Sequence, residues 1–267
     1  PTDFSAQAYN AAIHAAEYAK VFNAKVFLFH AYMLPTPVSE VPYVMVTVDE
    51  LQKENENMIK REAEKLNQEY GVEIEWLVRI GIPSDEIKVL TEERQIDLIV
   101  MGMKGVGGLD KLIGSTTVNA IRKVRVPILI IPQDARFQQP RHITYATDLH
   151  YEIVINAYKP LVTLAKQFGA HIHIINVHRH NAEKRVDELE WRRTVENIFY
   201  DIEHDFSSVE DASVMHGIRE YIEHHSSELL VMISHRHTFF ERLFSKNQTT
   251  AMAYETKIPL LILQDKP

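Results

Sequence analysis

Cysteine is absent from this 267-residue sequence, and only nine of its residues are glycine. Without cysteine the chain has no disulfide framework and no thiolate metal site, which fits a reducing compartment, so the cytoplasm is the default expectation. Apolar runs are also short: the longest, residues 229–233 and 128–131, fall far below the ~18 to 20 residues that span a bilayer. We therefore expect no transmembrane helix and no membrane partner.

Positive charge is scarce as well, because 29 lysine and arginine residues face 37 aspartate and glutamate residues, and the formal net charge is −8. Nucleic-acid binding depends largely on cations that neutralise phosphates, so a nucleic-acid partner is not expected. The compact basic stretch at residues 122–125 is interpreted as the cationic end of a helix. Residues 1–5 show no leader pattern but also lack an initiator methionine, which leaves a leader further upstream open.

An internal repeat is the main feature that is present. Residues 19–30 are echoed by residues 165–176, and Thr2-Asp3 by Thr147-Asp148. Residues 97–101 recur as 228–232, and the closing residues 126–131 recur as 258–263. Four echoes in the same order predict two copies of one domain, over residues 1–138 and 139–267, joined by a polar linker at residues 136–140.

The apolar runs in each copy are short and β-branched, as in strands that are buried on both faces of a parallel sheet. Amphipathic helices are predicted between them, including residues 8–22 and 51–70 of the first copy. Alternating strands and helices predict a doubly wound α/β fold, two tandem domains with parallel sheets. A first strand like residues 143–146 is expected before Thr2, upstream of the residues in hand.

A glycine-bearing loop follows the predicted strand at residues 98–101 and holds five of the nine glycines. Gly102, Gly105 and Gly114 permit backbone conformations in which amides turn toward an anion, and Ser115 and Thr116 are placed to open the next helix. A helix N-terminus at the carboxyl end of a parallel strand is a natural phosphate site. From spacing alone, a simple turn and helix cap explain these residues equally well.

These residues resemble the universal stress protein family, whose nucleotide-binding members carry Gly, two residues, Gly, nine residues and then Gly-Ser or Gly-Thr. Here Gly102, Gly105, Gly114 and Ser115 follow that pattern after Val-Met, with eight residues between the last two glycines. The resemblance extends over both copies and implies a Rossmann-like fold of the adenine nucleotide alpha hydrolase-like type. It also implies that the two halves pack like the dimer of single-domain members.

The resemblance further implies an adenine nucleotide, ATP, ADP or AMP, with or without magnesium, and a regulatory role read by an unknown protein partner. Asp3 would meet the ribose or adenine, and Ala31 would lie against the base. The remaining expected binding residues are Thr2, Met101, Gly102, Gly105, Gly114, Ser115 and Thr116. Asp3 is equally well placed to cap a helix together with Ser5.

The second copy has lost all three glycines, and Ile233, Arg236 and Ser245 stand in their places. We therefore expect one nucleotide per chain, held in the first copy. Arg236 and Lys246 remain able to attract an anion as simple charges.

No catalytic residues are predicted, because no known nucleophile, Walker or metalloprotease motif is present. Close histidine pairs include His171 with His173, which share one face of a strand, but the sequence names no third ligand and no metal site is expected. An enzyme such as an ATPase, and an oligomeric scaffold that associates through the final strands, are the alternatives to a nucleotide-binding regulator.

Overall fold

The computed structural model describes residues 1–34, 47–103, 115–147, 149, 153–178, 187–234 and 257–265. The helices of these residues are α1 (Ala6–Phe22), α2 (Val48–Tyr70), α3 (Pro83–Glu93), α4 (Ser115–Lys123), the 3-10 helix η1 (Ile155–Tyr158), α5 (Lys159–Phe168), α6 (Glu188–Ile198) and α7 (Val214–His224). The strands are β1 (Val26–Tyr32), β2 (Ile74–Ile80), β3 (Ile99–Gly102), β4 (Ile128–Ile131), β5 (His142–Thr147), β6 (His171–His178), β7 (His204–Glu210), β8 (Leu229–Ser234) and β9 (Leu260–Gln264).

The strands form two sheets that are parallel except at one junction. A two-stranded sheet contains β1 and β2, and a seven-stranded sheet has the order β3-β4-β9-β8-β5-β6-β7. In the second copy β5 lies between β6 and β8, whereas the described residues of the first copy contain no strand between β1 and β3. The α/β prediction with alternating strands and helices is confirmed, and the first copy's strands are divided between the two sheets.

Each central strand buries side chains on both faces, as the uninterrupted apolar runs predict. In β8, Leu229, Val231 and Ile233 belong to one hydrophobic cluster. Leu230 and Met232, which alternate with them, belong to a second cluster. The side-chain period of two therefore divides the core into two layers, one above and one below the seven-stranded sheet.

Local signals in the sequence account for the ends of the long helices. Helix α1 begins after Ser5, whose hydroxyl accepts a hydrogen bond from the amide of Ala8 at 3.2 Å. Helix α2 begins with a capping box in which Thr47 and Glu50 satisfy each other's backbone amides, and it ends at Gly71 with φ 67°. The helices predicted at residues 8–22 and 51–70 are confirmed.

The two copies meet through equivalent elements. The closing strands β4 and β9 pair antiparallel, and Leu129 lies opposite its own repeat counterpart, Leu261. Over this junction the rings of Phe22 in α1 and Phe168 in α5, which are also counterparts, approach edge to face with centroids 5.8 Å apart. Antiparallel pairing of identical elements is the arrangement of a two-fold dimer, so the predicted pseudo-dimer is confirmed within a single chain.

The predicted linker packs against the first copy, because the Phe137 ring meets the Tyr18 ring edge to face with centroids 5.3 Å apart.

The basic stretch at residues 122–125 lies at the end of a helix. Helix α4 ends at Lys123 with Arg122 in its last turn, which confirms that the basic stretch is a helix end. Across the part of the chain that the structure describes, no helix is long and apolar enough to cross a membrane.

Candidate functional site

A tight turn at Thr2–Phe4 places Asp3 at the carboxyl edge of the first copy. The Thr2 amide donates to the Phe29 carbonyl at 2.7 Å, and the Thr2 hydroxyl accepts from the Phe4 amide at 3.0 Å. Phe4 has φ 62°, a left-handed conformation that is uncommon for a bulky residue. The turn thereby buries Thr2 and leaves Asp3 exposed.

Asp3 also acts at the start of helix α1. Its Oδ1 atom accepts a hydrogen bond from the Ser5 amide at 3.1 Å, directly before the Ser5 cap of the helix. Asp3 therefore forms an Asx-type turn ahead of the helix, and the helix cap itself is Ser5. Because this bond uses one carboxylate oxygen of an exposed residue, it is compatible with a second role in which Asp3 accepts hydrogen bonds from a ligand.

His30 is a residue of this edge that sequence reasoning missed. Its Nδ1 atom lies 2.8 Å from the Thr2 carbonyl, a contact in which the nitrogen must carry the proton and donate it. Its ring also packs 4.4 Å from the ring of Phe4. The sequence signal for this residue was a histidine within an otherwise apolar strand, directly before Ala31. The structure shows that His30 holds the turn that carries Asp3.

Glu62 of helix α2 is a second missed residue. Its carboxyl lies close to Thr2 and Asp3, and burial raises its pKa above the usual value for a glutamate. Asp3 adds to this upward shift, whereas a hydrogen bond from Thr2 opposes it. The surroundings of Asp3 therefore include a second carboxyl group whose negative charge is disfavoured by burial.

Gly102, the last residue of β3, lies against the first turn of α1. A Cβ atom at this position would be 2.5 Å from the backbone oxygen of Gln7 and 3.1 Å from the amide nitrogen of Ala8. Real side chains do not tolerate the first distance, so glycine is required for the helix to approach the strand. The structure thus assigns Gly102 a packing function at the edge where the sequence predicts phosphate contacts.

The other predicted residues divide between described and undescribed parts of the chain. Met101 is buried in the same cluster against which Ala31 packs. Thr116 is half-buried in the first turn of α4, and α4 begins at Ser115. Gly105, Gly114 and the side chain of Ser115 lie outside the described residues, as do Arg236, Ser245 and Lys246 of the second copy.

The second copy repeats the turn of the first. The Leu149 amide donates to the Thr147 hydroxyl at 3.4 Å, and Leu149 has φ 54°. Asn176, the counterpart of His30, donates to the Thr147 carbonyl at 2.9 Å. A left-handed residue two positions after the threonine, and a polar side chain that donates to the threonine carbonyl, are therefore found in both copies.

The two edges differ where Gly102 is replaced by Ile233. The Ile233 side chain is 4% exposed and belongs to the same hydrophobic cluster as Leu149 and Tyr158. Ile233 therefore fills core space in the second copy, whereas the backbone of α1 occupies the space beside Gly102 in the first copy.

The alternation of strands and helices, with a polar turn at the carboxyl ends of parallel strands, defines a Rossmann-like α/β protein with two tandem copies. A family model described as the universal stress protein family matches residues 1–132. Universal stress protein MJ0531 of Methanocaldococcus jannaschii is 32% identical over 139 residues, which is 49% of this chain and 78% of that protein. The chain belongs to the universal stress protein family.

Two further similarities extend this result. Universal stress protein MJ0577 of the same organism is 28% identical over 147 residues, covering 49% of this chain and 91% of that protein. The crystal structure of a universal stress protein from Archaeoglobus fulgidus superposes with a TM-score of 0.76 at 19% identity, covering 100% of this chain and 97% of that chain. The latter similarity shows that the tandem fold exists as a whole in another protein.

Proposed function

We propose that this chain is a regulatory protein that binds one adenine nucleotide, in its first copy. The observation that carries the proposal is the turn that holds Asp3, exposed, at the carboxyl edge of parallel strands. Ligands of doubly wound folds bind at this edge. Helix α4 is the next helix in the chain after strand β3, and its N-terminal amides suit an anion such as phosphate.

Each predicted residue has a role in the proposed complex. Asp3 accepts hydrogen bonds from ribose hydroxyls or the adenine amino group, and the small side chain of Ala31 leaves room for the base. Thr2 and Met101 support these positions from the buried side. Gly102, Gly105, Gly114, Ser115 and Thr116 hold the ribose and phosphates, and magnesium is an optional companion of the phosphates.

The test begins with calorimetric titration of the full chain with ATP, ADP and AMP, with and without magnesium. Saturation at one nucleotide per chain is expected, since the second copy has Ile233 where the first has Gly102. A stoichiometry of two would assign a site to the second copy as well. No heat with any of the three nucleotides would refute the proposal.

Asp3→Asn is the sharpest variant, because the asparagine Oδ1 atom still accepts the bond from Ser5 while the charge is lost. Hydrogen bonds to charged groups contribute about 1.5–3 kcal/mol, so affinity should fall by roughly 10-fold or more. The matched control is Asp148→Asn at the repeat counterpart, which should leave nucleotide affinity unchanged. Equal losses in both variants would contradict a site confined to the first copy.

A non-enzymatic role is part of the proposal. Turnover of labelled ATP should not exceed that of a Gly105→Val control, because the sequence contains no recognised catalytic motif. ATP hydrolysis by the wild type that the control lacks would instead identify a weak ATPase.

The structure removes one premise of the scaffold alternative. That alternative requires the final strands to offer free edges for association between chains. Strands β4 and β9 pair with each other inside the chain, so these edges are already occupied. A homo-oligomer, which we propose from the family resemblance, therefore has to use other surfaces.

A further inference from the structure

A cluster of imidazole and carboxylate groups lies at the amino ends of three neighbouring strands of the second copy. His142 and His171 begin β5 and β6, and Asp205 is the second residue of β7. The strand register places His142 opposite His171, and His173 opposite Asp205. This cluster is at the other end of the parallel strands from the Thr147 turn.

The polar atoms of the cluster converge on one point. His171 Nε2 and His173 Nδ1 lie 2.5 Å and 2.7 Å from the same oxygen, Oδ2 of Asp205. The two rings are stacked with centroids 4.5 Å apart, because alternate residues of a strand point to the same face. The three ligand-type atoms all lie within 4.8 Å of one another.

The remaining ring nitrogens of both histidines face polar groups. His173 Nε2 lies 3.2 Å from Nδ1 of His142, and His171 Nδ1 lies 3.8 Å from Oε2 of Glu203. Histidines that bind metals usually have such outer partners, which fix the ring orientation and the tautomer. The cluster therefore has an inner set of three groups and one outer hydrogen-bonding partner, His142, whereas the exposed Glu203 carboxylate lies beyond hydrogen-bond distance.

We propose that His171, His173 and Asp205 form a binding site for a divalent transition metal, with zinc as the best match. Two imidazole nitrogens and one carboxylate oxygen are a ligand set that zinc uses when its fourth position is left to water or another ligand. Hard ions such as magnesium and calcium prefer sites made entirely of oxygen. A carboxylate oxygen near both imidazole nitrogens supplies the negative charge that a cation needs.

The hydrogen-bond partners of His173 allow it to bind an ion through Nδ1, because Nδ1 faces Asp205 and Nε2 faces His142. Metal binding requires neutral imidazole with a free lone pair. On binding, the proton of His173 resides on Nε2, from which it is donated to Nδ1 of His142, while Nδ1 of His173 binds the ion.

The site links segments that are distant in the chain, because Asp205 is 32 residues from His173. A bound ion therefore ties β6 to β7 and should raise the stability of the second copy by linkage. Without an ion, the same three groups form a hydrogen-bonded connection between these strands. The two states differ in whether the shared Asp205 oxygen accepts two N–H bonds or binds a cation.

The experiment is a competition titration of the full chain with zinc chloride and a chromophoric chelator, together with the visible spectrum of the cobalt(II) form. The wild type should bind one tight equivalent. His171→Gln and Asp205→Asn should each weaken that binding by more than about 100-fold, the upper end of the loss that outer partners cause. His142→Asn should cause a loss of about 10- to 100-fold.

The matched control is His216→Gln, which removes a histidine whose Nδ1 is 2.7 Å from Oδ2 of Asp211 in a pair with a single imidazole. This variant should keep wild-type zinc affinity. Circular dichroism and urea unfolding of each metal-free variant establish that the fold is retained, and His171→Gln provides the test if Asp205→Asn unfolds. Equal zinc affinity of the wild type and His171→Gln, or no tight zinc binding by the wild type, would overturn the proposal.

Discussion

At the scale of single residues, His14 is a polar side chain enclosed in the core. It lies in α1 with 1% exposure, and its Nδ1 atom is 3.0 Å from the Asn10 carbonyl. Its ring meets Phe137 edge to face at 5.9 Å. Burial lowers the pKa of His14, and hydrogen bonds to backbone carbonyls oppose the shift without reversing it.

This lowered pKa predicts a loss of stability in mild acid. Below the unfolded-state value near 6.5 the unfolded chain binds a proton that folded His14 does not, so the free energy of unfolding falls as pH decreases toward the folded pKa. The slope from one group is at most about 1.4 kcal/mol per pH unit. Urea unfolding from pH 7.5 to 5.5 should show a smaller decline in His14→Gln than in the wild type.

Parallel pH profiles for the wild type and His14→Gln would contradict this account. The chain contains 14 histidines, and only the difference between the two proteins isolates His14. His224→Gln is the matched control for replacing a histidine by glutamine, since His224 is exposed at the end of α7.

At the scale of elements, the position of α1 depends on Gly102. The Gln7 backbone occupies the space that a side chain at residue 102 would need. Farther along the helix, the Asn10 amide group donates to the carbonyls of Pro132, Gln133 and Ala135, which ties α1 to the segment after β4. These contacts hold the start of α1, and with it Asp3, beside the end of β3.

Gly102→Ala should displace the first turn of α1. Overpacking of a close contact costs about 1–3 kcal/mol, and we expect that loss in urea unfolding. Hydrogen exchange should rise for the amides of residues 8–11 in particular. Gly71→Ala is the comparison, because Gly71 has open space around it and a φ of 67°, so the cost there is local backbone strain.

Unchanged exchange at the start of α1 in Gly102→Ala would mean that the contact with Gln7 does not position the helix. If Gly102→Ala binds nucleotide more weakly, the loss is ascribed to the glycine-bearing loop only when the amides of α1 remain protected from hydrogen exchange. This separation matters because the sequence places Gly102 among the phosphate residues.

At the scale of the whole molecule, the two copies are joined along a pseudo-two-fold axis. The axis passes between Leu129 and Leu261, which are opposite each other in the antiparallel pair. Phe22 and Phe168 meet near the same axis, and the side chain of Gln167 donates to the carbonyl of Val21 at 3.1 Å. The strands of both copies next to the axis form one continuous sheet.

This junction predicts energetic coupling between the copies. Phe168→Ala should destabilise the chain by about 3–5 kcal/mol, because a buried ring is lost. Phe22→Ala should cost less, since that ring is only partly buried. The double variant should reveal an interaction of about 0.5–1.5 kcal/mol in a double-mutant cycle measured by urea unfolding.

Strict additivity of the two substitutions would show that the rings do not couple the copies. Tyr18 allows a second double-mutant cycle across the junction, because its ring also meets the Phe168 ring edge to face with centroids 5.8 Å apart.

Much of the fold could be predicted because its signals are local. The repeat, the buried strands and the helices α1 and α2 follow from apolar periodicity and from capping residues such as Ser5 and Thr47. The linker at residues 136–140 was less accessible. Its polar composition concealed Phe137, whose packing on Tyr18 is a contact between segments distant in sequence.

The sequence by itself determined that there are two copies, that their strands are buried, and that the three loop glycines are retained in the first copy only. These properties depend on residue type and short-range spacing. The tertiary structure decided which groups meet: it packed Gly102 against α1, supported the Asp3 turn with His30, and brought Asp205 to His171 and His173. Such meetings depend on strand order and register, which bring together residues that the sequence keeps 28 or more positions apart.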